Sequence, residues 1–416
     1  MTRIGFAYNL KPEPVVPLFL ESAALPLQDD DPASTRRDNA SRSIRRMAPA
    51  QRTRAAAVAS PDVDDEFAEW DGEETIAAVE RALSDLGKVI RLEANHEFPE
   101  RLRSTRPDIV FNIAEGSGGM NREAHVPAIC EFFGIPYSGS DPFTLSLCLD
   151  KSRTKECLAH HGVPTPTFAL IQSSSDIPAL MRRIPANGRT SRRSIAPASR
   201  LLRLPLFVKP VHEGSSKGIT ENNFCRTVDE LEAQIVFLLE RYDQPVLVEE
   251  WLPGAEFTCA VLGNGNGARV LPIVGMNFGA LPEGALPVYG FEAKWLWDRP
   301  ENPLDIFECP AQIDGALERT IERVVLGAYH VLGCRDWSRI DVRLDQGGVP
   351  NVVEVNPLPG ILPNPEDNSC FPKAARAAGM SYDHLIQTCA RLAAERQGVT
   401  LTGRAARRTR RAAAAG

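Results

Sequence analysis

Residues 338–360 read SRIDVRLDQGGVPNVVEVNPLPG. Apolar and polar residues alternate on both sides of a Gly-Gly turn, and this period of two predicts an antiparallel β-hairpin. If Leu344 pairs with Asn351, then Asp341 lies opposite Glu354 on one face of the hairpin. The opposite face, which we expect to contact a core, would carry Ile340, Val342, Leu344, Val353 and Val355.

The polar face of this hairpin predicts a cation site. The same register places Arg339 opposite Asn356, beside the facing carboxylates of Asp341 and Glu354. Two carboxylates that face each other across strands repel, and a divalent cation would remove that repulsion. Carboxylate and amide oxygens next to a phosphate suit Mg²⁺. The competing interpretation is a solvated face whose acids are neutralised by Arg339 and Arg343.

A glycine- and serine-rich loop follows a short apolar strand at 206–219, LFVKPVHEGSSKGI. Backbone N–H groups and the hydroxyls of Ser215 and Ser216 could bind phosphate oxygens there. The spacing is not that of a Walker A motif, and an ordinary surface turn is the alternative. Farther on, Glu249 and Glu250 end the apolar run VLVEEWL. They are either exposed edge residues or acceptors for an adenine amine and ribose hydroxyls.

The chain has 416 residues, which predicts two or three domains. A strand at 3–9, a helix from Glu73, strands at 88–92 and 108–113 and a helix at 98–104 alternate as in a parallel α/β sheet. Three low-complexity segments predict disordered insertions and a frayed tail. They are residues 28–66, 182–203 and 404–416.

Charge, cysteine content and hydropathy indicate which classes of protein the sequence does not fit. A net charge of −7 with mixed signs does not indicate a nucleic-acid partner. Nine irregularly spaced cysteines indicate reduced thiols in a cytoplasmic protein, with neither a disulfide framework nor a zinc site. No apolar run is long enough for a membrane span.

Several motifs together resemble the D-alanine–D-alanine ligase family of the ATP-grasp superfamily. The resemblance extends over about residues 108–390, apart from 182–203. In order, the matching stretches are DIVFN, GIPYSGSDPFTLSLCLDKSRTK, GVPTPTF, VKPVHEGSSKG, VEEWLPGAEFT, FEAKW, RIDVRL, VEVNPLPG and PKAARAAGMSYDHLI.

This resemblance implies an α/β and α+β fold: a Rossmann-like N-terminal domain (1–140), then a two-subdomain ATP-grasp fold (141–250 and 251–395) and a tail (396–416). It implies ATP and Mg²⁺ or Mn²⁺, with small molecules as partners, and it allows a homodimer. The implied ATP-binding residues are Lys151, Lys209, Glu213, Ser216, Glu249, Glu250, Leu252, Glu256 and Lys294. The implied catalytic residues are Arg339, Gly360 and Ser215, and the implied metal ligands are Asp341, Glu354 and Asn356. The implied substrate-binding residues are Asn368 and Ser369, and Glu115 could contact an ammonium group.

The sequence departs from the family pattern around the amino-acid pocket. The first strand runs into NLKPEP without the usual glycine-rich segment, Glu115-Gly116 replaces a His-Gly pair, Trp295 replaces a tyrosine, and 361–368 is longer. Three functions therefore compete: a ligase that joins two amino acids, an ATP-grasp ligase for another acid and amine, and a nucleotide-binding regulator without turnover. The complete set of implied metal and catalytic residues disfavours the regulator.

Overall fold

The computed structural model describes residues 1–12, 67, 69–185, 201–298 and 304–403, and only the backbone of Trp295. The helices are α1 (Glu73–Ser84), α2 (Phe98–Thr105), α3 (His125–Phe133), α4 (Pro142–Leu149), α5 (Lys151–His160), α6 (Ile177–Met181), α7 (Val228–Tyr242), α8 (Gly315–Val331), α9 (Cys370–Ala377) and α10 (Tyr382–Arg396). The strands are β1 (Arg3–Tyr8), β2 (Lys88–Glu93), β3 (Ile109–Asn112), β4 (Phe168–Ile171), β5 (Leu206–Pro210), β6 (Phe224–Cys225), β7 (Val246–Glu250), β8 (Glu256–Leu262), β9 (Arg269–Val270), β10 (Val274–Met276), β11 (Phe307–Glu308), β12 (Trp337–Leu344) and β13 (Pro350–Asn356).

The first sheet is parallel, as the sequence predicts. β1 lies between β2 and β3 and pairs in parallel with both. The helix predicted from Glu73 forms because Ile76, Val79 and Leu83 recur at helical spacing, and all three side chains are fully buried. The carboxyl ends of these parallel strands point toward the polar residues that follow β3, including Glu115.

A small antiparallel sheet follows, in the order β4-β7-β5-β6. Helix α7 packs against it through Leu231, Ile235 and Leu238, which are fully buried. Thr227 caps the N-terminus of the helix, and its side chain accepts from the Glu230 amide in a capping box. The loop after β5 and the end of β7 line a cavity that is described below.

The largest sheet is antiparallel and has the order β11-β10-β8-β12-β13, with β9 paired to β8. Helix α8 covers one face through Ile321, Val325 and Tyr329. The other face carries the polar residues of the predicted hairpin. Because β8, β12 and β13 are neighbours, their polar side chains face a common space.

The packing refines three expectations about segment boundaries. Cys148, Leu158 and Val163, which lie in the predicted segment 141–250, share the core of the largest sheet. The insertion predicted at 182–203 is too long, because Leu202 is fully buried and its amide donates to Arg183. The tail predicted from 396 is also too long, because Thr2 forms hydrogen bonds with Thr400 and Thr402.

The remaining parts of the insertion and tail predictions lie outside the described residues, namely 28–66, 186–200 and 404–416. Within the described part of the chain, none of the helices combines the length and apolar character that crossing a membrane requires.

Candidate functional site

The predicted hairpin forms, and an extra residue interrupts its register. Arg339 pairs with Asn356 and Asp341 with Glu354, as predicted, but the register then shifts so that Leu344 pairs with Pro350. The predicted pair of Leu344 and Asn351 is therefore wrong. The shift leaves Val353 as a β-bulge without a partner residue on β12.

The bulge also corrects the prediction for Val353. Val352 and Val355 are buried in the core, whereas Val353 is half-buried and lines a cavity on the polar face. Its carbonyl oxygen accepts from the Lys209 ammonium at 3.4 Å. The extra residue thus gives the polar face a backbone acceptor that a regular hairpin would not present.

The two facing carboxylates each have a cation. Arg339 lies 2.9 Å from Asp341, and the Thr258 hydroxyl donates to the same carboxylate. Lys151 lies 2.9 Å from Glu354. The predicted repulsion is therefore relieved by these side chains, and Arg343, the other neutralising candidate, pairs elsewhere.

Electrostatics at Glu354 favour the ionised form. Burial raises the pKa of this carboxyl, but Lys151, Arg339 and Lys209 lower it to about 2. Within the described residues, no three His, Cys, Asp or Glu side chains form a group that could hold a metal ion. Two carboxylates and the Asn356 amide still fit Mg²⁺, because this ion commonly takes its other ligands from phosphate and water.

A buried triad lies on the neighbouring small sheet. Glu249, at 5% exposure, lies 2.7 Å from Lys209 and 2.8 Å from Lys155. Burial lowers the pKa of Lys155 to about 8 although Glu249 opposes this shift. The carboxylate predicted to contact adenine therefore forms ion pairs with two ammonium groups.

The glycine-serine loop has an unusual backbone. Ser215 and Ser216 have φ values of 50° and 62°, in the left-handed region that side chains rarely adopt. The Ser216 hydroxyl donates to the Tyr289 carbonyl at 2.9 Å. Two successive left-handed residues turn the loop back over the polar face of the hairpin, where it lines both cavities described below.

Side chains from three segments brace this loop. Lys217 lies 3.3 Å from Glu213 and 3.4 Å from Glu69, and Arg122 lies 3.0 Å from Glu69. The Lys151 ammonium donates to the Glu213 carbonyl at 2.5 Å. Glu69 lies just before α1, in a stretch where no motif predicts a site residue.

The smaller of two adjoining cavities, of about 150 Å³, lies between the small and large sheets. Glu250, Trp251 and Leu252 form one end of it. Glu256 follows, and its carboxylate lies 2.7 Å from the Arg343 guanidinium. This end is apolar with a few polar groups at its edge, as is typical of a site for a flat heterocycle.

The larger cavity, of about 470 Å³, has an acidic wall. Asp71, Glu115 and Glu123 line it together with Glu69. Burial and the neighbouring acids raise the pKa of Glu115 well above its usual value, and burial raises that of Asp71 to about 7. A cationic group at this wall would relieve the repulsion between these acids and favour their ionised form.

The opposite wall comes from the segments near Lys294 and α9. Lys294 lies in a π-helical turn, Glu292–Trp297, and burial together with Arg339 lowers its pKa to about 8. Ser369 precedes α9, and its hydroxyl accepts from the Leu362 amide at 3.2 Å. Helix α9 begins at Cys370, directly after Ser369.

The Asn368 amide is already engaged on this wall. Its nitrogen donates to Asp298 at 2.5 Å and to the Leu304 carbonyl at 3.2 Å. Gly360 is exposed to the larger cavity, with no atom close to its α-carbon on the side where a side chain would lie.

All the predicted site residues line one of the two cavities. The residues that sequence reasoning missed include Glu69, Asp71, Glu123 and Lys155. Lys155 had a detectable signal, because it lies one helical turn after Lys151 in DKSRTK. The acids had none, because they reach the wall only through the fold.

Several known proteins are similar to this chain in sequence. Residues 171–390 match the family model described as D-ala D-ala ligase C-terminus. The D-alanine–D-alanine ligase of Azoarcus sp. is 35% identical over 281 residues, 67% of this chain and 77% of that protein. The D-alanine–D-alanine ligase of Stutzerimonas stutzeri is 34% identical over 311 residues, 74% and 85% of the two chains. The uncharacterized protein y4sG of Sinorhizobium fredii is 34% identical over 278 residues, 67% and 72%.

Solved structures share the fold. The Bacillus anthracis D-alanine–D-alanine ligase in complex with ATP superimposes with a TM-score of 0.58 at 19% identity, over 95% of this chain and 98% of that one. The VanG D-Ala:D-Ser ligase of Enterococcus faecalis gives 0.59 at 20% identity, over 94% and 99%. The chain therefore belongs to the D-alanine–D-alanine ligase family, ATP-dependent ligases of the ATP-grasp class that form a peptide bond between two amino acids.

Proposed function

We propose that this protein uses ATP to activate the carboxylate of one substrate and joins it to the amine of an amino acid. One observation carries the proposal: the facing pair Asp341 and Glu354 lies on the wall shared by both cavities, beside Lys151 and the glycine-serine loop. A phosphate group at that point would lie between a nucleotide in the smaller cavity and an acid in the larger one.

The nucleotide would lie along the smaller cavity. Its base would contact Glu250 and the backbone near Leu252, and its ribose would contact Glu256. Its phosphates would extend past Lys209 and Lys151 to Ser215, Ser216 and Lys294. Glu249 would act indirectly by orienting Lys209, and Glu213 would do so by orienting Lys217 and Lys151. Backbone amides and ammonium groups supply the positive field that a triphosphate requires.

The chemistry that fits this arrangement has two steps. An oxygen of the donor carboxylate attacks the terminal phosphorus of ATP, which gives an acyl phosphate and ADP. The amine of the second substrate then attacks the acyl carbon, and inorganic phosphate leaves as the amide forms. Arg339 and the Gly360 N–H would stabilise the oxyanion between these events. Mg²⁺ or Mn²⁺ held by Asp341, Glu354 and Asn356 would neutralise charge on the transferring phosphate.

The second substrate would bind near the start of α9. Ser369 lies at the N-terminal end of that helix, where backbone N–H groups favour a carboxylate. Asn368 would have to release Asp298 to take part, so its contribution is a positioning one unless the loop rearranges. D-alanine is the default amine partner on the strength of the family.

The donor site favours an acid other than D-alanine as an alternative within the same reaction class. The family's N-terminal glycine-rich segment is absent here, and the acidic wall of Glu69, Asp71, Glu115 and Glu123 stands in the larger cavity. Glu115 would then bind an ammonium group of the donor. A volume of about 470 Å³ leaves space for a donor larger than alanine.

A ligation assay tests the proposal. The protein would receive ATP, Mg²⁺, D-alanine and a panel of acids, with phosphate release as the rate and mass spectrometry for the product. We expect phosphate release that requires both an acid and an amine, with amide formation. Phosphate release without any amide, or none with every pair, would contradict the ligase function. Efficient D-alanyl-D-alanine formation would contradict the altered donor site alone.

The cellular location and the oligomeric state of the protein are also proposals. ATP as substrate and the nine free thiols support a cytoplasmic location. The family resemblance suggests a homodimer, and analytical ultracentrifugation of the purified chain would measure its mass in solution.

A further inference from the structure

Arg343 on β12 is engaged by three separate segments at once. It is 5% exposed, and its Nε donates to the Leu252 carbonyl at 2.7 Å. Its terminal nitrogen donates to Glu256 at 2.7 Å and to the Pro287 carbonyl at 2.9 Å. No motif in the sequence assigns this residue a role in the reaction.

Two aromatic rings lie close to the guanidinium. Its central carbon lies 4.2 Å from the Trp251 ring centroid and 5.3 Å from that of Phe278. A guanidinium above an aromatic face is stabilised by the ring quadrupole, more strongly when water is excluded. Arg343 is therefore a fixed link between its partners.

The partners belong to two different segments that line the proposed nucleotide site. Leu252 and Glu256 belong to the end proposed for base and ribose. Pro287 belongs to the segment that continues through Tyr289, whose carbonyl accepts from the loop residue Ser216, to Lys294 in the larger cavity. Arg343 is thus a direct connection from the base end to the segment that presents Lys294 to the phosphates.

We propose that Arg343 is a positioning residue that couples occupation of the base and ribose end to the placement of Lys294 at the phosphate end. This inference rests on the proposed function, since it assumes a nucleotide in the smaller cavity. A lysine could keep the charge next to Glu256, but it lacks the planar set of donors that reaches three acceptors together. The coupling therefore depends on the guanidinium fork.

A double-mutant cycle on nucleotide affinity tests the coupling. Calorimetry would measure binding of a non-hydrolysable ATP analogue to the parent, R343M, K294M and the double variant. We expect K294M to weaken binding by about tenfold in the parent and by less than about twofold when Arg343 is already replaced. K209M serves as a comparison, and its effect should be the same in both backgrounds.

Two further variants separate coupling from loss of fold. R343K keeps a charge beside Glu256 and replaces R343M in the cycle if thermal melts show that R343M does not fold. R396K is the matched buried control, because Arg396 pairs with Asp336 at 2.7 Å and donates to the Tyr137 carbonyl, away from both cavities. It should lower the melting temperature and leave the K294M effect unchanged.

The outcomes distinguish this inference from the proposed function. Additive losses in K294M and R343M, with normal binding by the parent, would overturn the coupling alone. Failure of the parent to bind the ATP analogue would overturn both. A kcat at saturating ATP that falls in R343K, together with a raised KM for ATP, would support the coupling, because a base-pocket defect alone changes only KM.

Discussion

At the scale of single residues, Asp341 and Glu354 are the two carboxylates on which the proposed reaction depends. We expect Asp341→Asn and Glu354→Gln each to lower kcat at least about a hundredfold, because both face the proposed phosphate position. Glu354→Gln should also lower the free energy of unfolding by about 1–3 kcal/mol, because Lys151 loses its carboxylate partner.

The pH dependence of that stability loss follows from the lowered pKa of Glu354. The folded pKa is about 2 and the reference value is 4.5, so the stabilisation is complete above about pH 5 and is lost as the pH falls toward 2. Urea unfolding at pH 7 and at lower pH measures it. Glu308→Gln, at an exposed position of β11, should change neither kcat nor the free energy of unfolding. Full activity in Asp341→Asn or in Glu354→Gln would contradict the assignment of these residues as metal ligands.

The contribution of Asp71 to stability should depend on pH in the opposite direction. Burial raises its folded pKa to about 7 from a reference value of 3.8, so its contribution to stability is lost as the pH rises between these values. Asp71→Asn should therefore be more stable than the parent at pH 8, by up to about 4 kcal/mol, and equal to it near pH 3. Thermal melts at both pH values decide, with Glu366→Gln as the exposed control. Equal stability at pH 8 would mean that the acidic wall is well solvated.

At the scale of elements, sequence reasoning succeeded where local pattern decides the structure. The alternation in 338–356 predicts the hairpin and the pairs of Arg339 and Asp341, and helical spacing predicts α1. It failed at Val353, because a bulge is an extra residue in an otherwise regular alternation and Val-Val gives no sign of which valine it is. It also failed at Glu69 and Asp71, whose positions depend on long-range packing.

The segment at 182–203 yields a prediction about its own ends. Replacing 186–200 by a short Gly-Ser link should leave activity largely unchanged, because that stretch offers few apolar residues to a core. Leu202→Ala should lower the free energy of unfolding by about 2–4 kcal/mol, because the side chain is fully buried against the small sheet. Chemical unfolding of both variants measures this, and a large loss from the shortened link would show that its arginines contact the site.

At the scale of the whole molecule, the last described residues contact Thr2 and the core beside the first sheet. The Thr2 amide donates to the Thr402 hydroxyl at 2.9 Å, and the Thr2 hydroxyl donates to the Thr400 carbonyl at 3.0 Å. Val399 and Leu401 pack against the core that β1 and α1 share with α10. The first strand is therefore stabilised by residues about 400 positions away in the chain.

Two truncations test these contacts. Ending the chain after Gly403 should leave the melting temperature and activity nearly unchanged. Ending it after Arg396 should lower the free energy of unfolding by about 2 kcal/mol or more, because two apolar contacts and the Thr2 hydrogen bonds are lost. Differential scanning calorimetry of the pair gives the answer. Equal melting temperatures would show that residues 397–403 contribute nothing to the first sheet.

Because Val353 forms a bulge, the site requires one additional residue at this point of β13, whatever the side chain of that residue. Removing one of the two adjacent valines would give a hairpin with regular pairing, in which the buried valines and Glu354 all keep their faces. Such a shortened protein should fold at least as well as the parent by thermal melting. It would lack the carbonyl that receives Lys209, so its affinity for ATP should fall by about tenfold. Unchanged affinity would show that the additional residue is a neutral insertion.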